Sequence, residues 1–420
     1  MLKKLLNLLP ETLVFLFALL TRLLNLGYPK NQMFDEVYHA FTAQQMFKGN
    51  PAAWEWWNPS PPGFAYEWTH PPLAKEFMVL GMYIFGDNSF GWRFFSALLG
   101  FGSIVLIYLI SLHLSRKREV AIIAAFVASM DGLLLVMSRI AMNDSYFLFF
   151  LLLTIYMFLK DKKILMGIFL GLSIASKWTA IFAIFPLLIL FILKEKKIYE
   201  RLKFLFFLLI IPASIYLGSY IPFFLGHHAP PQTNYSNLQT FVELQKQMWW
   251  YHTNLRATHP YQSTPIQWIF NIRPVWLFVD YKQNLRSDDL KQNLVSNIYT
   301  LDNPLIPILG IISIIFLFYK LNYKINYSYL SVVLFYLSFF IFWIFSPRIM
   351  FNYHYLASTA FLSVAIAIFL SEIKKIYGKA PVVVCLLLMG ILFAYFYPLW
   401  VGTSITPANL NSHFWLTSWK

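Results

Sequence analysis

The 420-residue chain is 58% hydrophobic, 19% aromatic and only 12% charged, with a mean hydropathy of +0.57; this excludes an ordinary soluble protein and describes a polytopic membrane protein. Its formal charge of +14 does not point to nucleic acid, because Lys and Arg sit in short loops between apolar runs, the distribution that membrane insertion imposes. The single cysteine, Cys385, lies inside an apolar run, so no intramolecular disulfide and no cysteine-based zinc site is expected.

Lys3 and Lys4 precede an apolar stretch, Leu13 to Leu26, that has no clear small-residue cleavage site. A retained helix over 11–27 is predicted, not a cleaved signal peptide. A long connection, 28–91, follows. It carries the acidic pair Asp35-Glu36, the tryptophans Trp54, Trp56 and Trp57, and a His70-Pro71-Pro72 turn. The apolar piece 75–85 is too short to span and reads as an interfacial helix. Helices are predicted over 92–114, 120–138 and 144–159. The run 164–193 is bounded by basic loops at both ends and split by Ser176-Lys177-Trp178, so it reads as a bent hairpin. A helix over 204–224 leads to a second long connection, 226–300, and helices over 301–320, 328–345, 354–372 and 380–399 complete the chain.

This is an all-α fold of about eleven transmembrane helices in a single domain, 1–420, with two long external loops and no soluble domain. Basic clusters at Arg116-Lys117-Arg118, Lys160 to Lys163, Lys194 to Lys203, Lys320 to Lys324 and Lys374 to Lys379 are assigned to the inside of a cell membrane, with the N-terminus inside. The connections 28–91 and 226–300 are then external. Loops of that length carry function. His39, His70, His227, His228, His252, His259, His354 and His413 all fall on or near that face, which marks it as the working side.

Two adjacent carboxylates at a membrane surface are a candidate active site, and cations at the external helix ends are candidate partners for an anion. Arg93, Arg139, Lys177 and Arg348 each interrupt an apolar context. Pairing with Asp35, Glu36, Asp131 or Asp144 is the alternative to a bound phosphate. For Arg139, pairing with Asp144 is favoured; for Arg93 and Lys177, a phosphate at the headgroup level. His252, His259 and His354 lie on separate loops, a spacing that does not define a metal site, so no metal or other cofactor is expected.

Several stretches together resemble the protein O-mannosyltransferases: Phe34-Asp35-Glu36-Val37-Tyr38-His39, His70-Pro71-Pro72-Leu73-Ala74-Lys75, Arg93-Phe94-Phe95-Ser96-Ala97, Ser138-Arg139 with Asp144, Ser176-Lys177-Trp178 and Tyr353-His354-Tyr355-Leu356. The stretch Trp249-Trp250-Tyr251-His252 through His259-Pro260-Tyr261-Gln262-Ser263 looks like the bacterial branch. The resemblance implies a GT-C membrane fold that moves mannose from polyprenyl-phosphate-mannose to Ser or Thr hydroxyls of proteins being translocated, possible contact with the translocation machinery included. It implies Asp35 as the base, with Glu36 on acceptor or sugar or holding a cation. From sequence alone these two roles are exchangeable. Arg93, Lys177, Arg139 and Arg348 are candidates for the donor phosphate, and His70, His252, His259, His354 and Tyr353 for substrate contacts, His70 also having a structural role in its turn. The eukaryotic members' soluble insertion in the long loop has no counterpart here. The rivals are a GT-C transferase acting on a lipid or polysaccharide, as aminoarabinose transferases do, and an ion-conducting transporter, for which no inverted repeat is visible.

Overall fold

The computed structural model describes residues 2–283 and 293–420; residues 284–292 of the second long connection lie outside them. Helix α1 (Leu2–Leu23) leads into the first connection, which holds a 3-10 turn (Phe34–Val37), α2 (His39–Phe47) and α3 (Leu73–Phe85). Pro72 caps α3 at its start. One face of α3 buries Ala74, Lys75, Met78 and Met82 while Leu80, Tyr83, Ile84 and Phe85 stay exposed, as in a helix lying in the interface. It packs closely on α4 (Ser89–Ser115), because a Cβ at Gly81 would collide with the Gly91 carbonyl.

The helix predicted over 120–138 is broken. α5 (Arg118–Ser129) and α6 (Gly132–Ser138) are bent by 65°. Asp131 supplies the reason: its Oδ1 accepts the Leu134 N–H at 2.7 Å and so begins a new helix inside an apolar run. α7 (Asp144–Leu159) has the predicted bounds. α8 (Lys163–Ser176) and α9 (Ile184–Lys194) flank a 3-10 stretch (Trp178–Ala183) at which the chain turns back. Asp161 and Lys194 share a cavity with Arg116 and Tyr327 at one end of the bundle, whereas Lys177, at the bend, lines a different cavity.

The run 204–224 divides into α10 (Ile198–Leu205), a π-helical stretch (Phe206–Ile210), α11 (Ile211–Gly218) and α12 (Ile221–Leu225). The second connection holds α13 (Asn237–Asn254), α14 (Pro265–Ile269) and an antiparallel hairpin of β1 (Trp276–Gln283) and β2 (Asn293–Tyr299), in which Val279 faces Asn297 and Tyr281 faces Val295. The hairpin was not foreseen. Its strands are rich in Trp, Phe, Val, Tyr and Ile, the residues that favour a pleated, half-buried surface. α15 (Leu305–Tyr323), α16 (Tyr327–Ile344), a 3-10 turn (Asn352–Tyr355), α17 (Leu356–Tyr377), α18 (Ala380–Phe396), α19 (Pro398–Val401) and α20 (Pro407–Ser412) follow. α17 is the central helix, buried continuously from Leu356 to Ile368.

Among the described residues five helices are long and apolar enough to cross a bilayer, or six with the bent pair taken as one span, and four shorter apolar helices accompany them. The count of about eleven therefore rests in part on pieces shorter than a full span.

Candidate active site

A cavity of about 630 Å³ opens where both long connections meet the ends of the bundle. Asp35, His70, Lys177, His252, Arg348, Tyr353 and His354 all line it. Residues that sequence reasoning did not single out for the site join them: Tyr38, Glu67, Trp178 and Trp343, together with Asp144.

Local backbone geometry separates the acidic pair. On the short turn Phe34–Val37, Asp35 faces the cavity while Glu36 points inward and is fully buried. Glu36 accepts from Arg93 Nε at 2.7 Å and Nη2 at 2.6 Å, and from the backbone N–H groups of Met33 at 3.0 Å and Ala141 at 2.8 Å. Arg93 gives its other N–H groups to the carbonyls of Leu26, Pro29 and Asn31. That uses the guanidinium's whole fork and leaves nothing for a phosphate. Arg93, expected at the phosphate, is instead paired with Glu36, and neither lines the cavity; together they are a buried ion pair that fixes the turn bearing Asp35.

Arg139 also lies outside the cavity. It donates to the carbonyls of Thr21, Arg22, Leu24 and Asn25 and so caps the end of α1. Asp144, its expected partner, instead accepts from Lys177 Nζ at 2.8 Å. Lys177 reaches the cavity because α8 ends at Ser176 and Lys177 is extended, φ −159° and ψ 128°. Its ammonium also lies 5.7 Å from the centre of the Tyr353 ring. Arg348 follows Pro347 in the loop after α16, sits over the Tyr251 ring at 5.5 Å and shares a hydrogen bond with His252 Nδ1. Its Nε is buried without a hydrogen-bond partner.

Glu67 is the carboxylate that sequence reasoning missed. Its signal was a lone acid in an aromatic stretch just ahead of the His-Pro-Pro turn. It receives Lys75 Nζ at 2.8 Å and the Thr69 N–H at 3.1 Å, with His39 Nδ1 at 3.7 Å. Burial pushes its pKa up, but Lys75, His70 and His39 outweigh that and hold the carboxyl well below the usual range. Lys75 also donates to the His70 carbonyl at 3.0 Å, so it ties the His-Pro-Pro turn while the His70 ring, stacked on His252 at 5.1 Å, faces the cavity. Burial pushes His39 and His252 down to about 4 and His70 well below its ordinary value, which leaves these three imidazoles neutral. Asp35 moves the other way. Burial first, then the charges of Asp144 and Glu67, raise it to about 7 against the opposing pull of Lys177 and Arg348.

His354 is packed between Trp343 at 4.3 Å and Tyr353 at 4.8 Å. His259 is not in the cavity; its ring rests on Phe351 at 5.2 Å. Among the described residues no three His, Cys, Asp or Glu side chains converge on one point.

The chain is similar to known proteins over most of its length. A family model described as dolichyl-phosphate-mannose-protein mannosyltransferase matches residues 12–225, and one for the C-terminal four-helix region of protein O-mannosyltransferase matches residues 237–419. The polyprenol-phosphate-mannose–protein mannosyltransferase of Mycolicibacterium smegmatis is 24% identical over 96% of this chain and 91% of its own. The Saccharomyces cerevisiae Pmt1-Pmt2 complex bound to the sugar donor superposes with a TM-score of 0.79 at 16% identity, over 98% of this chain and 92% of that one. ArnT of Cupriavidus metallidurans, bound to undecaprenyl phosphate, reaches 0.58 at 14% identity, over 89% of this chain and 63% of that one. The fold is thus that of the GT-C glycosyltransferases, and, with one family model matching the first half and its C-terminal companion most of the second, the chain belongs to the dolichyl-phosphate-mannose-protein mannosyltransferase family.

Proposed function

We propose that the chain transfers mannose from a polyprenyl-phosphate-mannose donor to Ser or Thr hydroxyls of a polypeptide, with inversion at the anomeric carbon. The observation that carries this is the single cavity in which Asp35 opposes Lys177 and Arg348. A phosphate leaving group needs cations as its negative charge develops, and Lys177 with the unpartnered Nε of Arg348 supplies them. Asp35 takes the acceptor proton as the hydroxyl oxygen attacks; the bond from the anomeric carbon to the phosphate oxygen breaks, and the phosphate departs with the electron pair. His70, His252, His354 and Tyr353, neighbours of these groups, are the proposed contacts for sugar and acceptor. The cavity lies at the end of the bundle opposite Arg116, Asp161 and Lys194. We place it on the external face of the cell membrane for that reason, with the N-terminus inside and acceptors arriving during translocation.

The deciding experiment supplies purified protein with radiolabelled polyprenyl-phosphate-mannose and an acceptor peptide. Label is expected in the peptide. Label only in a lipid fraction would favour the aminoarabinose-transferase type of reaction. In the same assay Lys177→Ala and Arg348→Ala should each lose about 1.5–3 kcal/mol of donor interaction, roughly ten- to a hundred-fold in donor kcat/KM. Unchanged donor kinetics in both variants would remove the phosphate assignment.

The pH profile gives an independent check. A base must be deprotonated to act, and Asp35 is held at about 7, so the acid limb moves upward with it. We expect kcat/KM to fall about tenfold per pH unit below neutrality and to level off above it. An acid limb near 4 would show that the group acting as base is not held near 7 in the working enzyme.

A further inference from the structure

A second cavity, about 430 Å³, lies against the β1–β2 hairpin and is closed on one side by α20. It is a neighbour of the first: the His259 ring rests on Phe351, which lines the first cavity, and Tyr261, two residues on, lines the second. Strand alternation makes its floor. Ile298 and Ser296 turn toward the bundle, Ser296 Oγ donating to the Gly402 carbonyl at 2.6 Å, so Val295, Asn297 and Tyr299 turn toward the cavity.

Asn297 is the informative residue. It is only 2% exposed, its Oδ1 accepts the Trp276 Nε1–H at 2.8 Å, and its Nδ2 is buried without a hydrogen-bond partner. A buried amide donor is costly to leave unmade, so the site is built for an oxygen acceptor from elsewhere. The surroundings narrow its chemistry. Trp276 and Tyr299 lie nearly parallel, 6.2 Å apart and 11° inclined, and Tyr261 meets Trp276 edge-on at 6.4 Å. Among the described lining residues Lys420 is the one charged side chain, and it is exposed. An apolar chain would leave the Asn297 amide unpaired. A neutral molecule with a flat C–H face for the rings and hydroxyl oxygens for amide and phenol groups fits, and the volume admits one or two sugar rings.

We infer that this second cavity is a carbohydrate subsite for a neutral pyranoside; resting on the proposed function, its occupant is a mannosyl group already attached to the acceptor chain. Holding that product beside the first cavity keeps a polypeptide in place for another transfer.

The test uses the full-length detergent-solubilised protein and methyl α-mannopyranoside, titrated by ligand-observed NMR. Two variants bear on it. Asn297→Asp keeps the oxygen that Trp276 needs and removes the N–H donor, and Tyr281→Ala trims a wall residue that is 75% exposed. Both should bind the mannoside about fivefold more weakly or worse. Both should form less doubly mannosylated product from a two-serine peptide while turning over a one-serine peptide normally. Mannoside binding unchanged in both variants would overturn the inference, as would a loss confined to unglycosylated peptide, which would make the cavity a peptide groove. If the wild-type protein transfers no mannose at all, the proposed function fails, yet the titration still decides whether the cavity binds a pyranoside.

Discussion

Replacing Asp35 with Asn is expected to lower turnover by roughly two to four orders of magnitude, the usual loss when a positioned base is removed. The amide matches the carboxylate in shape, so the cavity should keep its form. Stability should move the other way. The folded-state pKa of Asp35 is raised from 3.8 to about 7 by burial and by Asp144 and Glu67. The folded protein therefore disfavours the ionised form, and this group costs stability progressively as pH rises from about 4 to about 7. The neutral amide has no such cost. Purified Asp35→Asn should thus unfold at the same or a higher temperature than wild type at pH 8, with the difference vanishing near pH 4. A variant that turns over normally, or one that is inactive because it is unfolded, would each contradict this account.

The second large effect is structural. Arg93→Ala strips the partner from a carboxylate with no exposure, and breaking a buried pair from one side costs about 3–5 kcal/mol. Glu36→Ala should cost a similar amount. Both variants should show depressed yield and a lowered unfolding temperature in detergent, and whatever folded fraction remains should have an unaltered donor KM. Arg93→Ala that folds as well as wild type but needs far more donor would restore the phosphate role read from sequence. Comparing Glu36→Gln with Asp35→Asn separates the pair: the first is expected to lose protein, the second to lose chemistry.

The apolar helices were legible because apolar length reports directly on what can be buried in a bilayer, and α7 began and ended where its pattern said. Breaks inside apolar runs were harder. Asp131-Gly132 was visible in the sequence, but whether an aspartate in such a run pairs, caps or binds depends on what surrounds it in space. The cations show the same limit. Arg93, Arg139, Lys177 and Arg348 each read as a charge at a helix end, and the sequence ranked their partners without the geometry that decides them. Only folding reveals that two of them are spent on backbone carbonyls and two face the cavity. The acidic pair is similar: neighbours on a tight turn point apart, so adjacency said nothing about which one meets substrate. Glu67 and the hairpin were missed for a different reason. Both sit in long aromatic connections where helical periodicity offers no guide.

Arg93 and Arg139 together grip seven carbonyls between Thr21 and Asn31, upstream of Asp35. A carbonyl is present whatever side chain its residue carries. The segment that leads into the reactive turn can therefore drift in sequence without loosening its hold, provided the backbone path is kept, while the two arginines cannot be exchanged even for lysine, which has three donors on one nitrogen where guanidinium offers a spread fork. Variation in this family would then be tolerated in Leu24 to Lys30 and punished at two distant positions that do not line the cavity.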